Sequence, residues 1–281
     1  MDVSLAHFLQ QVLSNPALTV TTLLTLGVIF VNGWTDAPNA IATCVTTRCM
    51  RVRSAVIMAA IFNFLGVFIM TQLNASVAST ISNMVDFGGN SHQALTALMA
   101  AMVAIIVWGA AAWWFGIPTS QSHSLIAGLT GAAIAVQGGL DAINGAEWMK
   151  VVYGILLSTL LGFGLGWINY KVIGRMCRNV DRLKANSFFK WAQICSGAGV
   201  AFMHGAQDGQ KFMSIFMLAI MMTAGMGMDL TGVAMPMWLM IFCAFNMGLG
   251  TAVGGERIIK SVGMDMVKLE AFQGFAASLS T

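Results

Sequence analysis

The sequence predicts an all-α integral membrane protein that is built from two inverted repeats. Three observations support this fold class: a very apolar composition, several apolar segments of bilayer length, and short motifs that recur in the two halves of the chain. Of the 281 residues, 57% are hydrophobic and only 9% are charged, whereas soluble domains carry roughly 25% charged residues. This composition excludes a water-soluble enzyme, a disordered protein and a nucleic-acid-binding protein.

Several segments are candidates for the helices of this fold, because a bilayer-spanning helix needs about 20 mostly apolar residues. The clearest four are 54–73, 94–116, 151–170 and 233–252. Three further apolar segments carry polar or acidic residues: 18–47, 119–137 and 191–224. The five cysteines are scattered without the spacing of a metal site, so we interpret them as small apolar packing residues.

Lysine and arginine residues orient the chain, since they are enriched on the cytoplasmic side of a membrane. Most of them fall into three groups, which we place in cytoplasmic loops: Arg48, Arg51 and Arg53; Lys171, Arg175, Arg178, Arg182, Lys184 and Lys190; Arg257, Lys260 and Lys268. The N-terminus then lies outside the cell. Helix 54–73 runs outward and helix 151–170 returns, so segment 94–137 must begin and end outside.

Segment 94–137 satisfies this orientation either as two full crossings or as one re-entrant hairpin. Its centre is the polar stretch Gly116-Ile-Pro-Thr-Ser-Gln-Ser-His123, in which Pro118 stops a helix. Such a stretch is typical of a buried turn that lines a cavity, and equally of a surface loop. Topology alone leaves both arrangements open.

Three pairs of short motifs recur in the same order in the two halves of the chain. They are Asp36 with Asp208, Asn63 with Asn246, and Met99-Ala-Ala101 with Phe275-Ala-Ala277, at offsets of 172, 183 and 176 positions. The basic residues give the two aspartate segments opposite directions across the membrane. Inverted repeats of this kind, with broken helices, are the layout of many secondary transporters.

Both repeated aspartates, Asp36 and Asp208, lie in the middle of apolar segments. An ionised carboxylate at the bilayer centre costs about 2.5–3.5 kcal/mol on insertion scales. Glycine and proline beside each aspartate can break the helix, and a broken helix exposes carbonyls to cations and N–H groups to anions. The pattern therefore indicates a central site for an ion and its substrate. A buried structural pair, such as Asp208 with Lys211, is the alternative.

The motifs around these aspartates resemble those of the inorganic phosphate transporter (PiT) family. Asn32-Gly-Trp-Thr-Asp-Ala-Pro-Asn-Ala-Ile-Ala-Thr43 is similar to the first family signature and His204-Gly-Ala-Gln-Asp-Gly-Gln-Lys211 to the second. The stretch from Gly116 to Ile126 resembles the family's hydroxyl-rich hairpin tip. Gly250-Thr-Ala-Val-Gly-Gly-Glu-Arg257 and Gln273-Gly-Phe-Ala-Ala277 also fit. The resemblance covers most of the chain.

The resemblance implies a cation-coupled importer of inorganic phosphate, which works by alternating access around a site at the membrane midplane. It favours the re-entrant hairpin for 94–137. It also implies a multi-pass protein of the plasma membrane, surrounded by lipid and without enzymatic activity. A homodimer is expected from the resemblance only. No cofactor is implied beyond a coupling ion, which is sodium or a proton.

The resemblance also implies roles for individual residues. Asp36, Asn39 and Asp208 bind the coupling ion and would be sodium ligands, with Gln210 at the position equivalent to Asn39. The hydroxyls at the hairpin tip bind phosphate; the tip residues are Thr119, Ser120, Gln121 and Ser122. The chain departs from the family pattern at Thr35 and Gln207, where asparagine is usual, and at Gln121, where a small hydroxyl residue is usual.

Five further polar residues are expected to support this site, and the residues leave their roles open. Lys211 either adds positive charge for the anion or pairs with Asp208. His123 and His204 are expected to be hydrogen-bonding scaffold rather than proton carriers. Asn63 and Asn246 either pin the broken helices or bind neighbouring helices together.

The resemblance divides the chain into two repeats joined by a basic cytoplasmic linker at 171–190. The first repeat is 1–170, with a broken helix at 18–47. The second is 191–281, with a broken helix at 191–224, a helix at 233–252 and the start of a second hairpin at 267–281. The offset of 176 places the second hairpin tip near position 294, beyond Thr281. The second repeat is therefore expected to be incomplete.

Three other functions compete with phosphate transport. A sulfate permease of the same superfamily would share the fold. A fragment that transports nothing is a second alternative, because the second hairpin tip is missing. An intramembrane hydrolase would use His204 and Asp208 as metal ligands, whose i, i+4 spacing places them on one helical face, but no H-E-x-x-H motif is present.

Overall fold

A computed structural model describes residues 4–73, 84, 85, 87, 91–223, 235–259 and 269–281. Within these ranges the chain forms ten α-helices: α1 (Leu5–Ser14), α2 (Pro16–Thr35), α3 (Asn39–Thr46), α4 (Val52–Leu73), α5 (Ser91–Phe115), α6 (Gln121–Gln137), α7 (Gly145–Met176), α8 (Arg182–Thr223), α9 (Met237–Ile259) and α10 (Ala271–Ser278). Five stretches are long and apolar enough to cross a membrane: Pro16–Thr46, Val52–Leu73, His92–Phe115, Gly145–Met176 and Met237–Gly254. The protein is therefore an all-helical, multi-pass membrane protein.

The first signature segment is interrupted between α2 and α3. The last backbone bond of α2 runs from the Asp36 N–H to the Asn32 carbonyl, at 2.9 Å. Pro38 has no N–H and α3 begins directly after it, at Asn39. Asp36 thus lies at a helix end, where its side chain can turn away from the helical stack.

The second signature segment lies in α8, which is one continuous helix of 42 residues. The sequence predicted a break in 191–224, and α8 has none at Gly205 or Gly209. Both glycines serve close packing instead. A Cβ atom at Gly205 would overlap the backbone of Asn63, and one at Gly209 would overlap the Val67 side chain. The cost of helical glycine, about 1 kcal/mol each relative to alanine, is therefore offset by close contact with α4.

Two further boundaries differ from the sequence-based expectation. The predicted helix 151–170 is part of the longer α7, and α8 begins at Arg182. The predicted linker 171–190 thus shortens to 177–181, because most of its basic residues continue the two flanking helices. Lysine and arginine are good helix formers, so a charged stretch between two helices need not be a loop.

Helices α5 and α6 form a hairpin whose tip is Gly116–Ser120. Gly116 has a φ of +68°, a left-handed conformation that glycine adopts without a steric penalty, and it ends α5. Ser120 caps α6 by accepting a hydrogen bond from the His123 N–H at 3.4 Å. Two residues directly after the tip, Gln121 and Ser122, contact Asp36 and Asp208, whereas Ile117 and Pro118 in the tip itself are exposed.

Two close helix crossings hold the centre of the bundle. A Cβ atom on Gly33 of α2 would overlap the Met247 carbonyl of α9, and one on Gly250 of α9 would overlap the Phe30 carbonyl of α2. Gly66 of α4 meets α8 in the same reciprocal way, at the Phe202 carbonyl opposite Gly205. Each aspartate-bearing segment therefore packs backbone-to-backbone against one neighbouring helix, and this fixes both segments around one centre.

Helix α7 lies at the edge of this bundle. None of its residues is buried, although many are large and apolar. It contacts α10, and Asn169 donates a hydrogen bond at 3.0 Å to Ser280, which follows the end of that helix. In a membrane protein, an apolar surface of this kind is in contact with lipid.

Candidate functional site

Asp36 is held at the helix break by two neutral hydrogen bonds. The Asn39 amide donates to its Oδ1 at 3.2 Å, and the backbone N–H of Gln121, in the first turn of α6, donates to its Oδ2 at 3.2 Å. Among the side chains that the structure describes, no lysine or arginine lies within 4.0 Å of this carboxylate. Among the described residues, the hydrogen-bond donors to the Asp36 carboxyl group are therefore amide N–H groups rather than a lysine or arginine.

Asp208, in contrast, is surrounded by donors and is only 5% exposed. Lys211 Nζ lies 2.8 Å from Oδ1, and the Ser122 hydroxyl donates to the same oxygen at 3.0 Å. Lys211 also donates to Ser122, at 2.8 Å, which closes a triangle of three groups. His204 Nε2 faces the other oxygen, Oδ2, at 3.3 Å.

The two carboxylates and the His204 imidazole form one cluster, in which one ligand atom from each residue lies within 4.8 Å of the others. His204 is held from the opposite side, because its Nδ1 is 3.0 Å from Asn63 Oδ1 of α4. Asn63 in turn donates to Thr251 of α9 at 3.5 Å. The two carboxylates and the nearby amide oxygens are hard ligands that suit a cation such as Na⁺, whereas the imidazole nitrogen is a softer ligand.

The hairpin tip supplies donors to this cluster, but only from part of its surface. The Gln121 N–H and the Ser122 hydroxyl point at the two aspartates. The α6 N-terminus, with its exposed N–H groups and positive dipole end, therefore lies beside the carboxylates. The Gln121 side chain points elsewhere, because it is fully buried and lies against Gly109.

The other predicted tip residues line a second cavity of about 590 Å³ between α5 and α6. Thr119 accepts a hydrogen bond from Trp108 Nε1 at 2.9 Å, and Ser120 is engaged as the helix cap. His123 lines the same cavity. The structure thus brings Ser122 to the aspartates and places Thr119, Ser120 and His123 on the other side of the hairpin.

Another opening, which we call the Asp36 cavity, leads away from the cluster between α3, α8 and α10. This cavity has a volume of about 590 Å³. Its polar lining consists of Asp36, Asn39, Thr43, Ser196, His204, Gln207, Ser278 and Thr281. Asp36 and His204 therefore face a space large enough for a hydrated ion or a small anion, whereas Asp208 and Lys211 lie behind them.

The remaining predicted residues have different surroundings. Thr35 is buried and donates to the Val31 carbonyl of its own helix at 2.8 Å, so its hydroxyl is used locally. Asn246 donates to the Leu26 carbonyl of α2 at 2.6 Å, which binds α9 to α2. Gln210 is buried in α8. Lys211, rather than Gln210, makes the contact with its aspartate that Asn39 makes in the first signature.

Sequence reasoning missed a buried polar network at the far end of the Asp36 cavity. Gln193 Nε2 donates to Thr43 at 2.8 Å and to Ser278 at 3.1 Å, which joins α3, α8 and α10. It also missed Asn32, which is fully buried and whose side-chain oxygen and nitrogen have no hydrogen-bond partner in the part of the chain that the structure describes. A polar residue inside an apolar segment was the available signal in both cases.

Comparison with known proteins places the chain among transporters. Residues 32–281 match the phosphate transporter family. A probable low-affinity inorganic phosphate transporter of Bacillus subtilis is 36% identical over 89% of this chain and 73% of its own length. A protein of the same description from Mycobacterium leprae is 32% identical over 94% of this chain, which spans 62% of that relative. A solved structure described as the sodium-dependent phosphate transporter superimposes with a TM-score of 0.82 at 21% identity, over 94% of this chain and 82% of that one.

Proposed function

The chain belongs to the phosphate transporter family, a family of transporters rather than enzymes, and from this premise we propose that it carries inorganic phosphate across the membrane together with a coupling cation. The observation that carries the proposal is the contact of the hairpin tip with both signature aspartates. That contact places anion-binding donors and cation-binding carboxylates within one small volume, as coupled transport of an anion with a cation requires.

Phosphate would bind at the N-terminus of α6. Its oxygens can accept hydrogen bonds from backbone N–H groups and from the Ser122 hydroxyl, and the helix dipole favours an anion there. The aspartates beside this position would repel a bare anion. A cation bound to Asp36 and Asn39 removes that repulsion, so the two solutes bind better together than alone, which is the basis of coupling.

Sodium is the cation that the ligand set favours. The site offers carboxylate and amide oxygens, and the solved structure with the same fold carries the description sodium-dependent. A proton is the alternative, since a carboxylate can accept one in place of a metal ion.

In the membrane we place the N-terminus outside and the loops rich in lysine and arginine in the cytoplasm, with the α5–α6 hairpin as a re-entrant element and the two signature segments in inverted repeats. The Asp36 cavity runs along α3 from Asp36 toward the end that precedes Arg48. In this orientation the cavity opens to the cytoplasm, as in an inward-facing form of an alternating-access transporter. The plasma membrane is the proposed location.

Uptake of radiolabelled phosphate into proteoliposomes tests the proposal. The full chain is reconstituted and compared under a sodium gradient, a proton gradient and no gradient. Asp36→Asn and Asp208→Asn are expected to reduce gradient-driven uptake to background. Asp141→Asn, at an exposed aspartate outside the cluster, is the matched control and should retain uptake.

Three results would contradict parts of the proposal. Normal uptake in both cluster variants would remove the proposed site. Uptake that excess sulfate abolishes would favour a sulfate permease. A folded, monodisperse wild-type protein that takes up no phosphate under any gradient would mean that this chain does not transport by itself.

A further inference from the structure

The two signature aspartates have partners of different charge at the same relative position. Asn39 lies three residues after Asp36, and Lys211 lies three residues after Asp208. Each donates to Oδ1 of its aspartate, Asn39 at 3.2 Å and Lys211 at 2.8 Å. One signature therefore pairs its carboxylate with a neutral amide, and the other pairs it with an ammonium group.

We propose that Lys211 is a tethered cation that permanently occupies the cation position at Asp208, so that only the Asp36 half of the cluster takes up a mobile coupling ion. This inference rests on the proposed function and deepens it, because it sets how many cations the site needs. It assigns Lys211 to the coupling-ion side of the site rather than to the phosphate alone.

The charges in the cluster support this division. The cluster holds two carboxyl groups, Asp36 and Asp208, and one lysine, Lys211, whose Nζ lies 2.8 Å from Asp208 Oδ1. Lys211 is thus paired with one carboxyl group and leaves the other, at Asp36, for a mobile cation. Burying an unpaired charge is strongly unfavourable, so Asp208 needs a positive partner, and a lysine three residues away on the same helix supplies it without any binding step.

The position of Lys211 behind the cavity also supports the assignment. Asp36 and His204 line the Asp36 cavity, but neither Asp208 nor Lys211 does. The Asp208 side chain is 7% exposed and that of Lys211 is 20% exposed. An ion that enters through the cavity therefore reaches Asp36 first, and at Asp208 it would have to displace both the ammonium group and the Ser122 hydroxyl.

Lys211 also connects this cation position to the hairpin tip. Its Nζ donates to Ser122 at 2.8 Å, and Ser122 donates to Asp208 at 3.0 Å. A sodium ion at the same point would contact the same oxygens but could dissociate in each cycle. A tethered ammonium keeps Ser122 in place whether or not coupling ions are present.

Equilibrium binding of ²²Na⁺ to the purified full chain in detergent tests the inference by counting sodium ions per chain at saturation. Lys211→Met, which removes the charge but keeps much of the length of the side chain, is expected to bind one sodium ion more than wild type. Lys211→Arg should bind the wild-type number. Lys150→Met, at an exposed lysine that pairs with Glu147 outside the site, is the matched control.

A second substitution tests the same point from the aspartate. Asp208→Asn is expected to leave the sodium count unchanged, because this carboxylate holds lysine and not sodium; a count lower by one would overturn the inference. In Lys211→Met, an additional Asp208→Asn substitution should remove the extra ion. Equal counts for wild type and Lys211→Met would also overturn the inference. If Lys211→Met does not fold, Lys211→Gln provides the same comparison.

These counts separate the inference from the proposed function. The difference between wild type and Lys211→Met tests the tethered cation even if the protein transports nothing. Absent phosphate uptake together with one extra sodium ion in Lys211→Met would reject phosphate transport by this chain and keep the role of Lys211. Wild type that binds no sodium while Lys211→Met binds one would keep that role and point to proton coupling.

Discussion

The two signature segments place the same residue type in different local structures. Asp36 follows the end of α2, where Pro38 interrupts the helix, and it faces an open cavity. Asp208 lies inside the continuous helix α8 and is almost completely buried. The difference shows that equivalent positions in the two signature segments can have different roles. The first carboxylate is accessible and bonded to neutral groups, whereas the second is paired with Lys211 of the same helix.

The packing of the two segments, in contrast, is nearly the same. Gly33 on α2 and Gly205 on α8 each lie against the backbone of a neighbouring helix, α9 for the first and α4 for the second. The two helix crossings that fix the positions of the aspartates are thus about equally close. What differs between the segments is the charge beside the aspartate, not the precision with which it is held.

The largest expected effect tests this equality of packing. Gly33→Ala and Gly205→Ala should each destabilise the protein, because the new Cβ atom overlaps backbone atoms that cannot rotate away. Overpacking typically costs about 1–3 kcal/mol and occasionally more, so we expect a marked loss of monodisperse protein and a lower midpoint of thermal unfolding in detergent.

Gly199→Ala is the matched control on α8, since nothing lies within 4 Å of its added Cβ atom. It should leave the midpoint unchanged or raise it, because alanine is the better helix former by about 1 kcal/mol. A Gly205→Ala protein as stable as Gly199→Ala would show that the α4–α8 crossing is looser than described.

The second prediction concerns Asn63, the residue that holds His204. Asn63→Leu keeps the size of the side chain but removes the partner of His204 Nδ1. Loss of a group that orients a ligand typically costs 10–100-fold in affinity or activity, so we expect phosphate uptake per folded protein to fall about 10-fold. Uptake is measured in proteoliposomes at equal reconstituted protein, and unchanged uptake would mean that the imidazole orientation is irrelevant.

The matched change is Asn246→Leu on α9, which should lower the stability of the protein rather than its uptake activity. Asn246 donates to a backbone carbonyl of α2, on the side of the bundle interface rather than in the cluster of Asp36, His204 and Asp208. Removing one such hydrogen bond costs about 0.5–1.5 kcal/mol, which thermal unfolding should detect while uptake per folded protein stays near wild type. A loss of uptake equal to that of Asn63→Leu would contradict the different roles assigned to the two asparagines.

Much of this arrangement could be predicted from residue types and spacing, and the exceptions have clear physical reasons. Pro38 lacks an N–H, so a helix end beside Asp36 follows from the sequence. Glycine is ambiguous, because it permits either a helix break or a close crossing. At Gly205 the choice depends on the Asn63 backbone, which lies 142 positions earlier in the chain and is visible only in three dimensions.

The hairpin tip shows the same limit. Its run of polar residues indicates an anion site, but Thr119 and Ser120 precede α6 whereas Ser122 lies in its first turn, so the backbone directs these side chains differently. Ser122 therefore faces the aspartates while Thr119 and Ser120 face another cavity. A resemblance between motifs predicts residue types and their order, but it does not predict the direction in which each side chain points.

The smallest expected effect separates the backbone of Gln121 from its side chain. The side chain is fully buried, and neither its oxygen nor its nitrogen has a hydrogen-bond partner, while the backbone N–H donates to Asp36. An unsatisfied buried polar group costs about 1–3 kcal/mol. Gln121→Met, of similar size, should therefore raise the free energy of unfolding by about 1 kcal/mol and leave phosphate uptake unchanged.

Ser122→Ala is the opposite case at the next position, because it removes a hydroxyl that contacts both Lys211 and Asp208. It should lower the apparent affinity for phosphate with little change in stability. If Gln121→Met instead abolishes uptake in a folded protein, the carboxamide itself binds a transported solute. The tip would then act through two side chains, those of Gln121 and Ser122. Because Gln121 lies beside Asp36, the first signature would hold its ion with one more ligand than the second, and the two aspartates would differ even more.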